Sequence, residues 1–143
     1  MRIVLDTNCL IQSVSPRSSH HEVWRSIIEG KNTLCVSNEI LDEYAEILTR
    51  FFGRDTAEYV LDFIIESRHV RFFSPQYRFN LITTDHDNNK FVDCAIQANA
   101  RYIVTNDHHY DVLRQIKFPV VDVIALKEFL GILHSEDQLA ADT

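Results

Sequence analysis

Ile3-Val4-Leu5-Asp6-Thr7-Asn8 stands almost at the start of the chain, an apolar run that stops at a lone carboxylate. It reads as a buried β-strand that delivers Asp6 to its C-terminal tip, the edge where open α/β sheets keep their ligands. One aspartate at a strand end is equally consistent with a helix cap. The rest of the chain decides between these readings by whether it brings other acids to the same edge.

Working outward, Cys9 to Val14 reads as a short helical continuation, and His21 to Glu29 as a helix with Val23, Trp24, Ile27 and Ile28 at helical spacing, stopped by Gly30. Thr33-Leu34-Cys35-Val36 is a second strand that hands over, at Ser37 as N-cap, to a long helix. There Ile40, Leu41, Tyr44, Ile47, Leu48 and Phe51 make one apolar stripe, with Glu39, Glu43, Glu46 and Arg50 off it. Gly53 breaks this pattern and Asp55 is the expected N-cap of a further helix carrying Tyr59, Val60, Phe63 and Ile64. Val70–Phe73 is a third strand. The polar turn Thr84-Asp85-His86-Asp87-Asn88-Asn89 feeds a helix from Lys90 to Ala98, and Tyr102-Ile103-Val104-Thr105 is a strand ending in Asn106-Asp107. Val120-Val121 is the expected last strand, Ala125 to Leu133 the closing helix, and from His134 the tail is polar and expected to fray. Short apolar strands alternating with helices imply a parallel sheet wrapped by helices through right-handed crossovers.

The 143 residues, 45% of them hydrophobic with three glycines and three prolines, suit one domain, taken as 1–133, followed by a tail, 134–143. No stretch approaches the roughly 20 apolar residues of a membrane span and no cleavable leader is visible, so a cytoplasmic protein is expected. Cys9, Cys35 and Cys94 lie apart among apolar neighbours and read as buried free thiols. The adjacent pairs His20-His21 and His108-His109 cannot share a helical face and read as surface residues. A formal charge of −7 argues against a protein that coats nucleic acid through its phosphates. It does not exclude a nuclease, because carboxylates round a metal site count as negative without their ion.

Carboxylates fall at four strand or helix ends: Asp6, Glu43, the Asp85/Asp87 turn with Asp93, and Asp107. In a parallel sheet the C-terminal strand ends share one edge, so these acids can converge. Packed like charges raise one another's pKa, so such a cluster calls for a cation, and hard oxygen ligands suit Mg²⁺ or Mn²⁺.

Ile3 to Asn8, Val36 to Tyr44, Asp87 to Ala95 and Tyr102 to Asp107, in that order and spacing, resemble the four motifs of PIN-domain ribonucleases. The resemblance runs from residue 1 to about 131 and is nearest to the VapC-like toxins of bacterial toxin–antitoxin pairs. It implies a three-layer α/β/α sandwich with a mostly parallel sheet, and Mg²⁺- or Mn²⁺-dependent hydrolysis of RNA. It also implies an antitoxin partner, and the exposed part of the long helices could form a homodimer or grip that antitoxin. Asp6, Glu43 and Asp107 fall on the family's first, second and fourth acids. At the third, the position where most members carry aspartate holds the neutral Asn88. Helical geometry then favours Asp87, at the edge of the buried face, while the pattern Asn-Lys-Phe-Val-Asp-Cys-Ala favours Asp93 as a further catalytic and metal-binding acid. Thr7, Asn8, Asn88, Thr105 and Asn106 are candidates for hydrogen bonds that orient these carboxylates, and serve equally as turn residues.

Arg17, Arg50, Arg54, Arg68, Arg71, Arg78, Lys90, Arg114 and Lys117 are the candidates for a rim that holds RNA phosphates. Trp24, Tyr44, Phe51, Phe52, Tyr59 and Phe63 follow helical periodicity and read as core or partner-interface residues. A haloacid-dehalogenase-type phosphatase, which also begins with an apolar strand and an aspartate, needs a second Asp where this chain has Asn8. The remaining alternative is a catalytically degenerate PIN domain that binds RNA or protein without cutting, a reading that Asn88 keeps open.

Overall fold

The computed structural model describes residues 1–142. At its centre runs β1 (Arg2–Leu5), flanked by β2 (Thr33–Val36) and β4 (Tyr102–Val104), with β3 (Val70–Phe72) and β5 (Val123–Ile124) at the edges. Every pairing in this five-stranded sheet is parallel. Ile3, Val4, Leu5, Leu34, Cys35, Val36, Ile103 and Val104 are all fully buried. Cover on both faces is why these strands are continuous apolar runs instead of alternating ones.

The β1-to-β2 connection carries α1 (Thr7–Val14) and α2 (His21–Ile28), and the β2-to-β3 connection carries the hairpin α3 (Asn38–Phe52) and α4 (Arg54–Glu66). The chain then returns past β2 and β1 through α5 (Asn89–Ala98), which packs on β1, β2 and β4. Right-handed crossovers place helices on opposite faces when the direction of travel reverses, which gives the three-layer α/β/α sandwich. A 3-10 segment, His108–Gln115, joins β4 to β5, and α6 (Leu126–Asp142) closes the chain.

Two contacts fix α3 on the sheet. The Ser37 hydroxyl caps it by accepting the Ile40 backbone N–H at 3.3 Å, and the fully buried Tyr44 donates its hydroxyl to the Leu5 carbonyl at 2.6 Å. Trp24 and Phe63 meet edge to face at 5.2 Å, tying α2 to α4. The helix after Gly53 begins at Arg54, so Asp55 lies in its first turn and does not cap it.

Two boundaries differ from expectation. The last strand is Val123–Ile124, not Val120-Val121, because Ile103 and Thr105 donate to the Asp122 and Ile124 carbonyls at 2.8 and 2.9 Å. Val120 is exposed. The closing helix begins at Leu126 and continues through the polar segment to Asp142. Glu136, Gln138, Leu139, Ala140 and Ala141 are good helix formers with no Gly or Pro among them. His134–Glu22 and Lys31–Asp137 pairs, at 2.9 and 3.2 Å, lay this last stretch against α2 and the turn after it.

All three cysteines are free and buried. Burial pushes the Cys35 thiol to about 11, that of Cys94 to about 12, and raises Cys9 too. Among the described residues no helix is long and apolar enough to cross a membrane.

Candidate active site

The strand order reverses at β1: β2 and β3 lie on one side of it, β4 and β5 on the other. The crevice beyond the C-terminal ends of β1 and β4 is therefore the topological switch point, where this class of sheet binds ligands. Asp6 leaves β1 into it, and Thr105-Asn106-Asp107 leave β4 into it. Glu43 comes from the second turn of α3. Asp6, Thr7, Asn8, Glu43, Asn88 and Asp107 line one open cleft.

Asp6 is buried. One of its oxygens accepts the Cys9 backbone N–H at 2.8 Å and so caps α1, while the other accepts the Thr105 hydroxyl. The cap reading therefore holds, and the same side chain lines the cleft. Burial raises the Asp6 pKa above the usual carboxylate value, the bonds from Thr105 and Cys9 offset part of this, and the charge of Asp107 adds to it. No cationic side chain pairs with Asp6 among the described residues.

Glu43 accepts the Thr7 hydroxyl on one oxygen and the Lys90 ammonium on the other, at 2.8 Å. Asp107 accepts the Asn88 amide at 3.1 Å and the His109 backbone N–H at 2.9 Å, and its Oδ1 lies 2.7 Å from His109 Nδ1. Burial alone would push its pKa up, but these bonds and the His109 ring outweigh it and hold the carboxyl below the usual range.

The remaining candidates separate. Asn88 lines the cleft, whereas Asp87 is exposed and gives its backbone N–H to Asp85. Asp93 faces away: it accepts the Phe79 N–H at 3.1 Å, and burial raises its pKa against that bond and the Arg78 charge. One turn earlier Asn89 clasps both backbone groups of Ile82 at 2.9 Å. Asn89 and Asp93 together fasten the irregular 77–82 segment to α5. Thr7 and Thr105 bond carboxylates as their position suggests, Asn8 lies open at the cleft, and Asn106 accepts the Leu126 N–H at 3.1 Å, capping α6. Of the basic rim, Arg50 lines the cleft while paired with Glu46, and Arg114 lines an adjoining groove with Asp107. Arg54 and Arg78 are paired with Glu58 and Glu39.

Three features went unread in the sequence. His109 is exposed as expected, yet with Asp85 and Asp107 it forms a group that could hold an ion. The Asp107-x-His109 spacing is that of an aspartate accepting the N–H two residues on, which would have flagged it. Lys90 pairs with the cleft residue Glu43 and its side chain is only 15% exposed. Tyr110 is fully buried, its hydroxyl has no hydrogen-bond partner among the described residues, and after burial itself Asp6 is the strongest influence raising its pKa.

Among the described residues, the ligand atoms of Asp85, Asp107 and His109 lie within 4.8 Å of one another and could hold a metal ion. Asp6 and Glu43 line the same cleft with Asp107 and add carboxylate oxygens from two further elements, a hard donor set of the kind that suits a divalent cation.

The family model described as PIN domain matches residues 2–109, three quarters of the chain and every cleft acid. The protein belongs to the PIN domain family. No curated protein matches it in sequence. Solved structures that share the PIN fold include VapBC2 from Rickettsia felis bound to a DNA fragment from their promoter, 17% identical over 87% of this chain and 98% of that one, with a TM-score of 0.61. FitAcB from Neisseria gonorrhoeae is 14% identical over 87% and 97%, with a TM-score of 0.54. The PIN domain endonuclease Utp24 is 17% identical over 87% and 84%, with a TM-score of 0.51.

Proposed function

We propose that this PIN domain is a divalent-metal-dependent endoribonuclease and the toxin of a cytoplasmic toxin–antitoxin pair. The observation that carries the reading is the convergence of Asp6, Glu43 and Asp107, from β1, α3 and the end of β4, on the switch-point cleft. Asp6, Glu43 and Asp107 would hold Mg²⁺ or Mn²⁺, and Asp93 or Asp87 would contribute only if α5 or the turn before it rearranged. When bound, the ion supplies a water of lowered pKa and stabilisation of charge on the phosphate. The chain's own residues do the rest: Thr105 and the Cys9 N–H orient Asp6, Thr7 orients Glu43, and Asn88 with His109 orients Asp107. Arg50 and Arg114 stand on either side as contacts for RNA phosphates.

An antitoxin partner is supported by the VapBC2 and FitAcB folds. Exposed Phe51 and Tyr59 on the α3–α4 hairpin supply apolar surface for a homodimer. The test compares RNA cleavage by the wild type and by Asp6→Asn with Mg²⁺ or Mn²⁺ present. Cleavage by the wild type that Asp6→Asn abolishes is expected; equal activity, or none in either protein freed of any partner, sinks the enzyme reading. One observation favours a second reading, a PIN domain that binds RNA or protein without cutting. Asn88 stands where the family's third acid is expected and gives its amide to Asp107.

A further inference from the structure

The Lys90–Glu43 pair reaches the carboxylate cleft through Glu43, and it is more enclosed than any other lysine or arginine pair among the described residues. The Lys90 side chain is 15% exposed and that of Glu43 27%, whereas the other lysine and arginine pairs involve side chains at least 45% exposed. Lys90 is held there from three sides. Its ammonium lies 2.8 Å from Glu43 Oε1, donates to the Asp87 carbonyl at 2.8 Å, and sits 5.5 Å from the centre of the Phe91 ring. Thr7 occupies the other oxygen of Glu43. Glu43 is thereby neutralised by the protein itself, whereas the buried Asp6 is not.

Resting on the metal reading above, we propose that Lys90 is a resident counter-ion that competes with the divalent cation for Glu43. A metal ion and an ammonium cannot both approach one carboxylate oxygen closely, because two cations a few ångströms apart in a partly desolvated cleft repel strongly. Full engagement of Glu43 by the metal requires Lys90 to give up its place. Binding is weakened by the strength of that pair, and the empty cleft is held in shape by Lys90 without any ion. The role is positional: Lys90 acts through Glu43.

The experiment measures Mn²⁺ binding to the whole chain by calorimetry and by the electron paramagnetic resonance signal of free Mn²⁺. The proteins are the wild type, Lys90→Met, Glu43→Gln and the double variant, each checked for a cooperative melt. Lys90→Met is expected to bind Mn²⁺ about tenfold more tightly, the effect of removing one like charge beside the ion. In the Glu43→Gln background the same substitution is expected to change affinity little, because the contested carboxylate is gone. A merely structural role for Lys90 would lower affinity, not raise it. If Lys90→Met binds Mn²⁺ no more tightly than the wild type, the proposal is overturned and the metal reading stands. If no variant binds Mn²⁺, the metal reading falls and this proposal with it. Should Lys90→Met fail to fold, Lys90→Gln carries the same expectation and the same overturning result.

Discussion

Asp6 gives one oxygen to the Cys9 N–H and the other to the Thr105 hydroxyl, yet its pKa is raised, so burial outweighs both bonds. A carboxyl whose folded pKa lies above its unfolded value near 3.8 costs stability once ionised. That cost is absent below the unfolded value, grows as pH rises through the folded one, and is then constant. Asp6→Asn, which keeps an acceptor for Cys9, should therefore raise the melting temperature at neutral pH in chelator. The gain should vanish towards pH 3, as a thermal melt series would record. Asp107 works in the opposite sense: its lowered pKa contributes stability above its unfolded value that is lost as pH falls through the folded one. Asn88→Asp would exchange a hydrogen bond to Asp107 for a like charge. The metal-free protein should lose on the order of 1–3 kcal/mol, and denaturant titration with and without Mn²⁺ should show the ion restoring it.

The Tyr44 hydroxyl joins α3 to the tip of β1, and its loss tests how far that one bond sets the cleft. Tyr44→Phe leaves the Leu5 carbonyl without this donor in a dry interior, at a cost of about 1–3 kcal/mol by urea unfolding. At this scale the sequence was most readable where burial was complete. β1, β2 and the α3 stripe follow directly from apolar runs and a serine cap, because nothing competes with the core for Ile3, Leu34 or Ile40. Where two apolar pairs stand close together, as Val120-Val121 and Val123-Ile124 do, only pairing with β4 selects the strand. The roles of α5 were harder still. Asp93 carries a family-like pattern but fastens a loop, and Lys90 looks like any surface lysine until the fold carries α3 to it across forty-odd residues. Tertiary partners of that kind leave no periodic trace in the chain.

For the molecule as a whole, the acidic balance and the far end of α6 have separate consequences. With a net charge of −7 and, among the described residues, Arg50 and Arg114 as the arginines lining the cleft and its adjoining groove, few phosphates can be neutralised. RNA affinity should fall only gently with salt: the slope of log K against log salt for a single strand should be about −1.4, that of two contacts, which fluorescence anisotropy would measure. The segment from His134 to Asp142 is exposed and reaches α2 and the turn after it through surface ion pairs, so removing it should cost about 1–2 kcal/mol. Denaturant unfolding of the chain cut after Leu133 gives that number directly.

The buried cysteines give the protein an intrinsic clock for its own openings. Cys9 lies in α1 beside Asp6, Cys35 in β2 and Cys94 in α5, so the three thiols sit in one core but on three different elements. With all three shielded and disfavoured as thiolates, a maleimide or disulfide reagent should leave the closed molecule unmarked. Labelling then proceeds only through opening, and mass spectrometry of the modified peptides tells which layer parted first. A cysteine introduced anywhere on the surface would, for the same reason, take up a probe alone.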